Sequence, residues 1–101
     1  MRKRRVNPET LLTRSIRQTL ELCGWWTIKM KQGLGSYPGI ADLWIIKNGV
    51  EWWMEVKMPG KGPSPVQREF RDDVISRGGK YVVVSSIEEL KAFGFVDNLI
   101  L

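Results

Sequence analysis

The chain has 101 residues, of which 43% are hydrophobic, and a formal net charge of +5. This length and composition favour one folded domain, predicted over residues 1–101, rather than a disordered chain. Because the sequence holds no histidine and a single cysteine, Cys23, it excludes imidazole catalysis, an internal disulfide and a cysteine-based zinc site.

The N-terminal residues 1–6 form a basic arm that carries most of the net charge, in Arg2, Lys3, Arg4 and Arg5. The arm either binds phosphates through a salt-sensitive attraction or serves only as a solubilising end. It lacks the apolar run of a signal peptide, and no stretch of the chain approaches the roughly 18 apolar residues that cross a bilayer. We therefore expect an intracellular protein.

The first predicted element is a helix that begins with Asn7 as its N-cap and Pro8 in its first turn, and ends near Leu22. An inward stripe at four-residue spacing consists of Leu12, Ile16 and Leu20. Glu9 lies on the same stripe. Its carboxylate either favours the positive end of the helix dipole or serves an interior site as a third acid.

A β-hairpin is the strongest local signal in the chain. Residues 25–30 predict a first strand, and the loop 31–39 leads from it into the strand that holds Asp42. The runs 39–47 and 50–57 are rich in β-branched and aromatic residues and are separated by Asn48-Gly49. This pair favours a type I′ turn, in which both central residues need a positive φ.

The two-residue turn sets the register of the hairpin. It places Trp44 opposite Trp53 and Asp42 opposite Glu55. Side chains alternate between the two sides of a strand, so one side is wholly apolar and must be buried. Its members are Ala41, Leu43, Ile45, Trp52, Met54 and Val56.

On the other side, Asp42 and Glu55 bring two carboxylates together, with Cβ atoms ~5 Å apart if the residues are directly opposite. Such charges repel, and a hard divalent ion such as Mg²⁺ removes the conflict. Lys57 adds an ammonium at a place suited to a phosphate. The alternative is a solvated sheet edge with a surface ion pair. Glu51, nearer the turn, is predicted to be merely solvated.

A second helix is predicted from Ser64 as N-cap, through Pro65 at its first position, to about Arg77. Gln67 stands three residues after the cap, where it completes a capping box. Gln67 either has only this capping role or also serves the acidic site.

The rest of the chain predicts one strand and one helix. Residues 80–85 form a continuous apolar run, expected to be a central strand parallel to the Glu55 strand. Ser86 then begins a helix that ends near Phe93. The apolar tail 95–101 is predicted to complete the core or to join a partner subunit. Together these elements predict an α/β fold with a mixed sheet of about four strands flanked by helices.

Three short motifs resemble those of the PD-(D/E)xK nucleases, and more narrowly the virus-type replication-repair nuclease (VRR-NUC) family. They are Gly39-Ile40-Ala41-Asp42, Glu55-Val56-Lys57 and Ser64-Pro65-Val66-Gln67. Ala41 stands where the family usually has proline. The similarity spans about residues 9–90 and implies a restriction-endonuclease-like core.

The resemblance also implies a function and a site. It implies a Mg²⁺- or Mn²⁺-dependent endodeoxyribonuclease of phage or bacterial origin in the host cytoplasm, acting as a homodimer on branched DNA such as Holliday junctions. The implied catalytic residues are Asp42, Glu55, Lys57 and Gln67. The implied metal ligands are Asp42, Glu55, the Val56 carbonyl and, directly or through water, Glu9.

Two alternatives to this function remain open from the sequence. One is a non-catalytic nucleic-acid-binding module in which the acids are structural. The other is a nuclease of the same fold with a restriction-type or RNA substrate.

Overall fold

The computed structural model describes residues 5–97. In chain order its elements are α1 (Pro8–Leu22), β1 (Trp26–Lys29), β2 (Leu43–Lys47), β3 (Val50–Val56), α2 (Pro65–Ser76), β4 (Tyr81–Val84) and α3 (Ile87–Ala92). This order matches the predicted one. Most of the predicted basic arm and the end of the apolar tail, residues 1–4 and 98–101, lie outside the described residues. None of the described helices is long and apolar enough to cross a bilayer.

The four strands form one mixed sheet in the order β1-β2-β3-β4. The β1–β2 and β2–β3 pairs are antiparallel, whereas β3 and β4 are parallel. The predicted turn is confirmed, because Asn48 and Gly49 both have a positive φ, of 51° and 78°. The register is also as predicted, with Trp44 opposite Trp53. This α/β architecture agrees with the predicted fold class.

The predicted central position of β4 is wrong, since β4 is an edge strand of the described sheet. Its apolar run has another cause, which is that helices cover both of its faces. On one face, the Tyr81 ring lies 6.3 Å from that of Phe70 in α2. On the other face, Val84 is fully buried in the core with Leu90 of α3. The apolar sequence of a strand therefore indicates that both of its faces are covered. It does not indicate whether the strand lies at the centre or at the edge of the sheet.

The main core lies between the sheet and the two helices α1 and α3. The sheet contributes Leu43, Ile45, Met54, Val56 and Val84, and the helices contribute Ile16, Leu20 and Leu90. In α1 the buried face is slightly rotated from the predicted one, because Thr13 is buried and Leu12 is only partly so. Phe95 and Val96 complete this core, as predicted for the first part of the tail.

The opposite face of the sheet carries a cluster of aromatic rings beneath α2. Trp44 and Trp53 stack with ring centroids 5.6 Å apart, and Phe70 meets Trp53 edge-on at 5.3 Å. Such pairs add packing energy of roughly 1 kcal/mol each. They hold the first turn of α2 over the open end of the hairpin, where the predicted acidic residues lie.

Candidate functional site

Asp42 lies at the point where β2 and β3 separate. The ladder between these strands stops at the Leu43–Met54 pair, one residue before the predicted Asp42–Glu55 pair. The Asp42 main-chain carbonyl accepts from Met30 N–H at 2.8 Å, while its side-chain Oδ2 accepts from Val56 N–H, also at 2.8 Å. Asp42 is thus held through both its main chain and its side chain, and its carboxylate takes the place of a main-chain acceptor for Val56 N–H of β3.

Glu55 is a buried acid beside Asp42, with only 1% of its surface exposed. Its Oε2 atom is buried and has no hydrogen-bond partner within the described part of the chain. Burial raises the pKa of Glu55 to about 9, helped by the negative charge of the neighbouring Asp42. The protein alone therefore keeps Glu55 protonated at neutral pH, and full ionisation of the pair needs an added cation.

Gln67 has two partners at the start of α2. Its Oε1 accepts from the N–H of the N-cap residue Ser64 at 2.8 Å, which completes the capping box. Its Nε2 donates to Glu55 Oε1 at 3.4 Å. The residue thus caps the helix, as predicted, and its side chain also contacts Glu55, one of the two predicted acids.

The other predicted site residues lie around this pair. Lys57 opposes the rise in the Glu55 pKa through its positive charge, and Glu9 adds to that rise through its negative charge. Val56 is fully buried, and its N–H is the donor to Asp42. Within residues 5–97 there is no group of three or more His, Cys, Asp or Glu side chains placed to hold a metal ion. The structure thus brings two side-chain acids together, with Glu9 farther along the same wall.

A glycine loop brings these elements together. Gly39 has a φ of +72°, and a Cβ added to it would lie 2.6 Å from the carbonyl carbon of Val66. The loop before Asp42 therefore packs directly on the first turn of α2, the turn that carries Gln67. Only glycine permits both this φ and this approach. The requirement explains on physical grounds why a glycine precedes Asp42.

A cavity of about 280 Å³ opens next to Asp42, between α1 and the end of β1. Its lining consists of Asn7, Glu9, Thr10, Thr13, Arg14, Arg17, Lys29 and Asp42. Three of these side chains are cations, and they were not singled out from the sequence. Helical spacing could have indicated Arg17, because Thr13 and Arg17 follow Glu9 at intervals of four residues and so lie on the same face of α1.

The donors present fit a hard divalent ion. The two carboxyl groups are neighbours, and one of them has a buried oxygen without a hydrogen-bond partner. If both are ionised, their negative charges need a cation between them. Oxygen ligands of this type are those that Mg²⁺ prefers, with its remaining positions left to water and phosphate. The absence of histidine and of a second cysteine argues against a softer metal.

The sheet and the helices define an α/β domain with a mixed four-stranded sheet, and the two acids lie at the open end of its hairpin. A comparison with solved structures narrows this fold class. A chain described as "VRR_NUC domain" superposes with a TM-score of 0.75 and 24% sequence identity, over 87% of this chain and 95% of that one. The predicted resemblance is thus confirmed at the level of the fold. No protein-family model and no curated protein matches the sequence.

Proposed function

We propose that this protein is a metal-dependent nuclease that hydrolyses DNA phosphodiester bonds. The observation that carries the proposal is the buried Glu55 carboxyl, with its unpaired Oε2 held against Asp42. A buried polar atom without a partner costs roughly 1–3 kcal/mol, and burial of a second ionised group costs more. A purely structural role does not offset this free-energy cost, whereas binding of a cation by the carboxylate does. The fold shared with a VRR_NUC domain supports a nuclease-type module.

In this proposal the ion is held by Asp42, Glu55 and the Val56 carbonyl, with Glu9 as a more distant acid. When bound, the ion supplies polarisation of the phosphate and a nucleophile at neutral pH. The protein keeps the ligands in place beforehand, because Asp42 is fixed by Val56 N–H and Glu55 by the Gln67 amide. The Lys57 ammonium orients the attacking group or stabilises negative charge that develops on the phosphate.

The proposed substrate is branched DNA, such as a four-way junction, cut by a homodimer. Two nicks on two strands need two sites, and a two-fold symmetric dimer supplies them with related geometry. This part of the proposal is supported by the motifs and by the small size of the domain. The basic arm adds a sequence-independent attraction to phosphates.

The experiment incubates the purified chain with four-way junctions, linear duplex DNA and RNA, each in Mg²⁺, Mn²⁺ or EDTA. Cleavage of the junction only with a divalent ion supports the proposal, and size-exclusion chromatography with light scattering reports the dimer. Binding without cleavage in every condition would favour the non-catalytic module. Preferential cleavage of linear DNA or RNA would favour the other nuclease class. The control variant is Glu51→Ala, at an exposed carboxylate near the turn.

A further inference from the structure

The cavity beside Asp42 is lined by more cationic than acidic side chains. Three cations line it, Arg14, Arg17 and Lys29, against two acids. One of those acids, Asp42, is already engaged by Val56 N–H. Like charges gathered in this way repel one another unless an anion joins them.

These three cations are not used in ion pairs. Within residues 5–97, Arg71 pairs with Asp72 in α2, and Arg77, the C-cap residue of α2, pairs with Asp73. The basic residues of α1 and β1 have no such partner in that part of the chain. They are therefore available to a ligand, whereas Arg71 and Arg77 are already paired.

Arg17 is also held in a defined orientation. Its Nε donates to Thr27 Oγ1 at 3.1 Å and its Nη2 donates to the Thr27 carbonyl at 3.4 Å. Thr27 is itself buried, and its hydroxyl donates to Glu21 Oε1 at 3.0 Å. This chain of bonds fixes the guanidinium at the cavity wall and leaves Nη1 without a hydrogen bond in the described structure. A guanidinium fixed beforehand loses little entropy when it binds a phosphate.

We propose that this cavity is a subsite for a second phosphate of the substrate strand, next to the one that is cleaved, bound by Arg14, Arg17 and Lys29. The inference rests on the proposed nuclease function, because Asp42 belongs both to the acid pair and to the cavity lining. A phosphate in the cavity and a phosphate at the acid pair would be neighbours on one strand. The strand would then pass between the N-terminal half of α1 and the end of β1.

The subsite defines a substrate class, which is a strand that continues past the cleaved bond on the side of α1. Contacts to phosphates fix the position of a strand and carry no sequence information. Cleavage should therefore tolerate changes of base at this position and should fail to tolerate loss of the phosphate charge.

The test combines protein variants with a set of DNA molecules, each of which carries one neutral methylphosphonate at a different position near the branch point. The variants are Arg14→Met, Arg17→Met and Lys29→Met, which remove charge and keep an apolar stem. Lys91→Met is the matched control. It removes the same charge from α3, and residues 93–95 just after it share a cavity with Asn48 and Val50 at the turn end of the sheet.

Binding is measured in EDTA and cleavage in Mg²⁺. We expect one methylphosphonate position to weaken wild-type binding about tenfold, a typical effect of losing a charged hydrogen bond. The same position should weaken the Arg14 and Arg17 variants much less. The slope of log affinity against log salt should fall by about one unit in each variant and stay unchanged in Lys91→Met.

The outcomes separate this inference from the proposed function. Equal losses at every methylphosphonate position in wild type and variants would overturn the subsite, even if the protein cuts DNA. Coupling at one position in the binding data, without cleavage by the wild type, would retain the subsite and reject the nuclease. Arg14→Met and Lys29→Met should fold normally, because both side chains are exposed. Their effects on binding can therefore be assigned to the lost charge.

Discussion

Replacement of the buried acid by its neutral amide, Glu55→Gln, is the most informative single change in this molecule. The amide keeps the shape of the side chain and removes its titration. In the wild type, the pKa of Glu55 rises from 4.5 to about 9 on folding. Between these two values the folded state binds more protons than the unfolded state. Wild-type stability therefore falls as the pH rises through this window, and the contribution is absent in Glu55→Gln.

The expected size of this effect follows from the width of the window. Each pH unit between the two pKa values costs the wild type about 1.4 kcal/mol. From pH 5 to pH 7 the wild type should lose about 3 kcal/mol relative to the variant. For a domain of this size, that corresponds to a relative change in melting temperature of more than ~10 °C.

The assay is urea or thermal denaturation of both proteins in EDTA from pH 5 to pH 8. The difference between the two curves reports the titration of the Glu55–Asp42 pair, because the titrating groups outside this pair are shared. Glu51→Gln is the matched control, since it removes an exposed carboxylate from the same strand and should follow the wild type. Parallel pH dependences for wild type and Glu55→Gln would refute the reasoning. Addition of Mg²⁺ at pH 8 should stabilise the wild type and leave Glu55→Gln unchanged.

Three further predictions concern the site and its support. Asp42→Ala and Lys57→Ala should each abolish cleavage in a gel assay while DNA affinity stays within a few-fold of the wild type, and efficient cutting by Asp42→Ala would show that the acid pair is not the site. Gln67→Ala should lower the free energy of unfolding by about 1 kcal/mol in urea denaturation through loss of the capping box, and an unchanged stability would contradict the dual role of the amide. Gly39→Ala should cost more than ~1 kcal/mol by thermal denaturation, whereas Gly49→Ala, with a similar φ and no atom within 4 Å of an added Cβ, should cost less. Equal losses at the two glycines would refute the close approach to α2.

The hairpin could be predicted because its determinants are local. Asn48 and Gly49 specify one turn type, and the turn fixes which residues face each other along β2 and β3. The caps of α2 and α3 were readable for the same reason, since Ser64 and Ser86 act on N–H groups only three residues away. The acid pair was predicted by extending this register by one residue.

Features that depend on the packing of distant elements could not be predicted. The position of β4 at the edge depends on which strands remain unpaired, and its sequence records only that both faces are covered. The bond from Val56 N–H to the Asp42 side chain requires β2 and β3 to separate at this point. No residue type in the sequence indicates that separation. The cationic cavity depends on α1 lying beside Lys29 of β1, a contact between segments more than ten residues apart.

The side-chain amide of Gln67 makes two hydrogen bonds that constrain this position. Position 67 must close the first turn of α2 and must also meet the Glu55 carboxyl. A substitution of Gln67 therefore changes the cap of the helix and the contact to Glu55 at the same time. Directed evolution of this protein should leave position 67 untouched until a second residue has taken over one of the two tasks.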